Sequence, residues 1–228
     1  MDDIVIFGSS GFVASNFIKL YSHHFNNVFA IDKEKINNKE KKNIHFFQCD
    51  LTQQRHLENI IYKLPNNAIF VNFISRQYQD IPPYKNRQDW FNEINVRVAK
   101  KIYNLANEKS VKGLIQFSTD MVYGQQDEAL ICENSQTKPI GEYGISKNIM
   151  EQNLLKSYSF RKTIFRPRLI SGLGRLGILS KLFFLFYYNL PVPMIGNGHN
   201  YYQMIDVNEC SKALKMVLTP LADKKIDK

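Results

Sequence analysis

Residues Phe7-Gly8-Ser9-Ser10-Gly11-Phe12-Val13-Ala14 decide how the chain is read, because they join an apolar run, Asp3–Phe7, to a segment of helical period, Gly11–Tyr21. Gly8 permits a tight turn directly after a strand, Gly11 lets backbone amides approach an anion at a helix start, and the small Ala14 keeps that helix close to the strand. Such a G-x-x-G-x-x-A turn is a weak signal by itself. Its context is stronger: a second apolar run, Val28–Ile31, leads into Asp32, 18 residues beyond Ala14, where a carboxylate accepts hydrogen bonds from ribose hydroxyls. The same charge would repel a ribose 2′-phosphate, so the pattern predicts NAD rather than NADP.

Working outward, further strand-length apolar runs fall at Ile44–Gln48, Ile69–Phe73, Leu114–Ser118 and Thr163–Arg166, and helical segments at Gln53–Tyr62, Gln88–Asn107 and Gly141–Ser157. Strands alternating with helices predict an α/β fold, a doubly wound parallel sheet covered on both faces. Pro167 interrupts the sixth strand, since it lacks an N–H for sheet pairing. A first domain over 1–171 is therefore expected, followed by a small, apparently truncated lobe over 172–228. That lobe carries a helix around Ile178–Asn189, short strands near Met194 and Met204–Val207, and a last helix to about Thr219. The lysine-rich Lys33–Lys42 stretch reads as a surface loop. Gly172-Leu173-Gly174-Arg175-Leu176-Gly177 also matches a nucleotide-type glycine pattern, but no acidic residue follows before Asp206. It reads as a loop on the substrate side.

Composition narrows the functions. The 44% apolar content of 228 residues suffices for a globular core. Cys49, Cys132 and Cys210 lack metal-ligand spacing, so no metal and a reduced, cytoplasmic setting are expected. The start lacks a basic and apolar leader pattern, and Leu182–Leu190 is too short to cross a bilayer, so neither secretion nor a membrane partner is expected. The net charge of +9 permits nucleic acid as a partner, but its basic residues are not interleaved with stacking aromatics. From Gln152 to Ile205 there is no acidic residue, while Lys156, Arg161, Lys162, Arg166, Arg168, Arg175 and Lys181 all fall there. That asymmetry suits a polyanionic small molecule, or else a solvated basic face. Arg166, Arg168 and Arg175 are the candidate diphosphate contacts.

Tyr143 and Lys147 stand four apart in a helical segment and share a face. An ammonium beside a phenol stabilises phenolate, so the pair is suited to moving a proton. Tyr158 and Lys162 have the same spacing but straddle a helix end, where that geometry fails. Upstream, Ser118-Thr119-Asp120 bring hydroxyls to the carboxyl edge of the fifth strand, where ligands bind in such sheets.

Together, Gly8-x-x-Gly11-x-x-Ala14, Asp32, Cys49-Asp50-Leu51, Asn95-Val96, Ser118-Thr119-Asp120-Met121-Val122-Tyr123-Gly124, Tyr143-x-x-x-Lys147 and Arg166-Pro167 resemble, in order, the extended short-chain dehydrogenases/reductases, with the closest similarity to the NAD-dependent nucleotide-sugar epimerase/dehydratase family. The resemblance covers essentially the whole chain and implies a Rossmann-like fold. It implies that Ser10, Phe12 and Val13 join the glycines at the cofactor pyrophosphate, that Asp50 and Leu51 flank adenine, and that Phe73, Ile74, Ser75 and Pro167 line the cofactor. Asn95 would support the helix carrying part of the site. Thr119 would assist proton transfer, Tyr143 would be the acid/base, Lys147 would bind the nicotinamide ribose, and Asp120 would face substrate. Gly196-Asn197-Gly198-His199-Asn200 and Gln203-Met204-Ile205-Asp206-Val207 resemble the family's later substrate-lobe motif.

Three departures qualify the carry-over. The sugar 4,6-dehydratases place an Asp-Glu pair after the threonine, whereas Met121 follows Asp120 here, which favours epimerisation over loss of water. Tyr201 stands where an Arg is common, and the chain stops at Lys228. The expected activity is epimerisation of a nucleotide sugar through transient oxidation to a keto intermediate. The alternatives are a keto-sugar or ketone reductase using NAD(P)H, and a dinucleotide-binding protein without catalysis. Helices Gln88–Asn107 and Gly141–Ser157 are where the family often forms a homodimer.

Overall fold

The computed structural model describes residues 1–34, 42–78, 81–126, 130–175, 179–192, 196–199 and 203–222. Among them, one sheet contains β1 (Ile4–Phe7), β2 (Val28–Asp32), β3 (Ile44–Gln48), β4 (Ile69–Asn72), β5 (Gly113–Phe117) and β6 (Lys162–Phe165), all parallel, in the order β3-β2-β1-β4-β5-β6. Strand order reverses between β1 and β4, and in open α/β sheets ligands bind in the crevice at such a reversal. The expected doubly wound sheet is present.

β1 shows why its sequence is a continuous apolar run. Ile4 and Ile6 point to one face and join Ala14, Phe17 and Ile18 of α1 (Phe12–Tyr21) and Cys210, Leu214 and Leu218 of α7 (Val207–Ala222). Val5 and Phe7 point to the other, packing with α2 (Gln54–Ile61), α4 (Ala99–Glu108) and α5 (Glu142–Ser157) through Leu57, Ile60, Ile102, Met150 and Leu154. With helices on both faces, no position in the strand is left for a polar side chain. Packing also runs across the boundary expected near Ser171, because α7 belongs to the core of the first sheet.

The helix expected as one piece over Gln88–Asn107 is three: α3 (Arg87–Asn92), a π-helical turn (Glu93–Val98) and α4. Across the π turn the buried residues Phe91, Asn95, Val98 and Ile102 keep three- and four-residue spacing, so periodicity does not reveal it. Past Pro167, β7 (Leu169–Ser171) pairs in parallel with β8 (Met204–Asp206) as a separate small sheet. The expected strand near Met194 lies outside the described residues, as does most of Lys33–Lys42. Between β7 and β8, α6 (Leu179–Tyr187) has no buried residue. No helix among the described residues is long and apolar enough to cross a membrane.

Candidate active site

The turn after β1 builds one wall of a cleft. Gly8 has φ +80°, and a Cβ there would lie 3.0 Å from the Ile74 backbone nitrogen and 3.1 Å from its Cγ1, so both conformation and space require glycine. Gly11 opens α1 with no side chain capping the helix start, which leaves the positive end of its dipole for a ligand anion. Asp32 closes over the turn: its Oδ2 accepts from the Ser10 N–H at 2.9 Å and its Oδ1 from the Glu34 N–H at 3.1 Å. Only 8% exposed, it is a carboxylate already committed to organising the loop.

The cleft encloses about 250 Å³ and is lined by Gly8, Ser10, Gly11, Asp32, Asp50, Leu51, Phe73, Ile74 and Ser75, all expected from sequence. Lys33, Cys49, Thr52, Arg76, Ile94 and Val98 also line it and were not foreseen. Phe12 and Val13 follow directly in α1. Asn95 lies behind the lining: its amide accepts from the Arg76 N–H at 2.8 Å, donates to the Arg76 carbonyl at 3.0 Å and donates to the Ser146 hydroxyl at 2.9 Å. It thereby ties the wall after β4 to α5 from within the π turn. A second buried network, invisible to an apolar-pattern reading, holds the β4 and β5 edges: Asn72 Nδ2 and the Tyr103 hydroxyl each donate to Gln116 Oε1 at 2.8 Å. Its signal is a single polar residue in each apolar run.

At the other end of the cleft, α5 presents Tyr143 and Lys147 on its buried face. Gly144 between them permits close packing, since a Cβ there would come within 2.7 Å of the Met121 carbonyl oxygen. The Tyr143 hydroxyl is 3.5 Å from that of Ser75, which joins the phenol to the cleft wall. Burial pushes the Tyr143 pKa up, opposed by hydrogen bonding from Ser75, reinforced by the Asp120 charge and opposed again by Arg175 and Thr119. The expected lowering is thus absent, because loss of water around the phenol outweighs the groups that favour phenolate. Lys147, 1% exposed, donates to the Phe117 carbonyl at 2.6 Å; burial drags its pKa down to about 7 against an upward pull from Glu151. The control pair behaves otherwise: Lys162 donates to the Leu154 and Leu155 carbonyls at 3.2 Å and to that of Tyr158, capping the end of α5.

Thr119 caps a 3₁₀ turn (Asp120–Val122) by accepting from the Met121 N–H at 3.3 Å, and the Asp120 N–H donates to the Pro167 carbonyl at 3.3 Å. The three arginines separate. Arg168 pairs with Asp120 at 2.9 Å. Arg175, carried on a tight turn by hydrogen bonds exchanged with Gly172, reaches Gln77 Oε1 at 3.0 Å and lies 5.8 Å from the centre of the Phe12 ring. Arg166 instead grips buried Glu151 through Nε at 3.1 and 3.2 Å and Nη2 at 2.6 Å. Its expected phosphate role meets a guanidinium already engaged; the sequence distance of 15 residues to Glu151 hid that partner.

A parallel α/β sheet with a glycine turn at its order reversal and an acidic residue at the end of the neighbouring strand β2 defines the class of dinucleotide-binding folds, and here a buried Tyr–Lys pair stands beside the cleft. The NAD dependent epimerase/dehydratase family model matches residues 4–227, and the chain belongs to that family. Among curated relatives, GDP-6-deoxy-D-talose 4-dehydrogenase of Aggregatibacter actinomycetemcomitans is 30% identical over 49% of this chain and 39% of its own length. N-acetyl-alpha-D-glucosaminyl-diphospho-ditrans,octacis-undecaprenol 4-epimerase of Escherichia coli O157:H7 is 25% identical over 97% of this chain and 64% of its own length. The chain therefore spans less than two thirds of either relative. The Bordetella bronchiseptica enzyme WbmG, solved with NAD and UDP, superposes with TM-score 0.78 at 18% identity, covering 94% of this chain and 68% of that one.

Proposed function

We propose that the chain is an NAD-dependent epimerase of nucleotide sugars. The observation that carries the reading is the meeting of Tyr143, hydrogen-bonded to Ser75, with the end of a cleft built around Gly8, Gly11 and Asp32. The cleft suits NAD: the α1 start is uncapped, and the buried Ser9 hydroxyl has no partner among the described residues. Bound NAD supplies a two-electron acceptor that oxidises a sugar hydroxyl to a ketone and then returns the electrons. Tyr143 takes the hydroxyl proton and gives it back, its phenolate form requiring that positive charge brought by the bound cofactor offset the burial that raises its pKa. Lys147 holds positive charge beneath the phenol and binds the nicotinamide ribose, and Thr119 with Ser75 orients the phenol oxygen. Gly8, Ser10, Gly11, Phe12 and Val13 hold the pyrophosphate, Asp32 the adenosine ribose, and Asp50 and Leu51 the adenine. Arg175 and Arg168 take the substrate diphosphate, Arg168 exchanging its exposed pairing with Asp120 for the phosphate and leaving Asp120 to the sugar. We assign 1–171 to cofactor binding, with α7 packed on its sheet, and the rest of 172–228 to substrate binding, with pairing of two copies through Gln88–Asn107 and Gly141–Ser157.

Mass spectrometry of the purified protein, screening for retained NAD and for nucleotide sugars, tests the reading. NAD carried through purification supports it, and a cofactor lost at once counts against it. A reductase is the second reading, favoured by the name of the 4-dehydrogenase relative. A reductase uses the same Tyr143 and Lys147 but consumes reduced cofactor at every turnover.

A further inference from the structure

We propose that Glu151, clamped by Arg166, is a positioning residue that sets the charge carried by Lys147. The inference rests on the reading of Tyr143 and Lys147 given above. Tyr143, Lys147 and Glu151 follow one another at intervals of four along α5, so they lie on one face of the helix. Glu151 is 0% exposed, and a carboxylate taken wholly out of water is costly unless it is paired. Arg166 supplies the pairing in a forked grip and is itself anchored, donating to the Tyr123 hydroxyl at 2.7 Å and the Glu133 carbonyl at 3.2 Å. Glu151 is therefore held one helical turn from Lys147, whose ammonium donates instead to the Phe117 carbonyl. The carboxylate acts on the lysine through space, in a buried region less screened than water.

Other charged and titratable groups around α5 act at other points of it. From α4, Tyr103 faces Glu151 and feels its charge. From the 3₁₀ turn, Asp120 acts on Tyr143. Arg87 of α3 pairs with Glu142 at the opposite end of α5, and in the π turn Glu93 pairs with Arg76 and Arg97 with Asp89. Lys162 of β6 sits on carbonyls at the end of α5. Glu151 is the charge that opposes the effect of burial on Lys147. Remove it and the amine discharges at lower pH.

The test uses the full chain grown with ¹³Cε-lysine, the Lys147 signal being identified by its disappearance in Lys147→Met. In Glu151→Gln the titration midpoint of Lys147 should fall by about one pH unit or more, and in Glu151→Asp by less. The double variant Glu151→Gln, Arg166→Gln keeps a hydrogen-bonded pair without charge and serves if the single variant does not fold; because it also removes the opposing charge of Arg166, its midpoint should fall by less than in Glu151→Gln. A purely structural ion pair would lower stability in these variants and leave the midpoint in place; an unchanged midpoint in a folded variant overturns the proposal. Because the titration needs no substrate, it stands apart from the epimerase reading: a moved midpoint in a protein without epimerase activity would overturn that reading alone.

Discussion

The Lys147 ammonium donates to the Phe117 carbonyl at 2.6 Å, pinning the middle of α5 to the carboxyl end of β5. The bond comes with a buried charge. Since the folded pKa of Lys147 is about 7 and its ordinary value 10.5, the unfolded chain holds more protons between those values. Stability from this group is therefore present above about pH 10.5 and lost as pH falls to about 7. Lys147→Met should remove that slope, so the difference in Tm between native protein and variant should change steadily across the window. A constant difference would show that Lys147 is charged alike in both states.

Asp32 is expected to select the cofactor while holding the glycine turn. Asp32→Ala should weaken NAD binding by about 1.5–3 kcal/mol, the scale of a charged hydrogen bond. Calorimetry with NAD and NADP checks it; equal affinity for both in native protein and variant would remove the ribose role.

Gly8→Ala forces a side chain into positive φ and against the Ile74 backbone. A loss of at least about 1–2 kcal/mol in urea unfolding is expected from the conformation alone, with NAD binding lost as Ile74 shifts. Full stability with native NAD affinity would mean that the turn is looser than this geometry.

Arg166→Met should differ in kind from Arg168→Ala and Arg175→Ala. Breaking the Glu151 pair strands a buried carboxylate, at a cost of about 3–5 kcal/mol. The other two variants should unfold much as the native protein does while binding nucleotide sugars more weakly and NAD normally. Unchanged sugar-nucleotide affinity in both would reject their phosphate role.

Much of this was legible because burial on both faces of a parallel sheet writes strands as plain apolar runs, such as Ile4–Phe7 and Ile69–Asn72, punctuated by glycine turns. The cofactor residues follow, since they sit where those runs end. What stayed hidden depends on contacts between distant residues. The bonds from Asn95 to Arg76 and Ser146 lie inside a π turn that leaves helical periodicity intact. β7 is three residues long and acquires meaning only from β8. Arg166 shares an acid-free stretch with Arg168 and Arg175, yet its partner is on another element. Charge composition counts cations; it does not say which of them are already engaged.

Tyr143, only 6% exposed, carries the central claim, and Tyr143→Phe keeps its ring packing against Tyr78 and Phe91 while deleting the proton-transfer group. The decisive measurement follows epimer exchange by NMR, with no added cofactor, across a panel of nucleotide sugars for both proteins. The native protein should interconvert one of them, and Tyr143→Phe should do so about 10²–10⁴-fold more slowly while still holding NAD. Equal rates in the two proteins would contradict the assignment of Tyr143, and firm NAD binding without exchange of any sugar would contradict epimerisation itself.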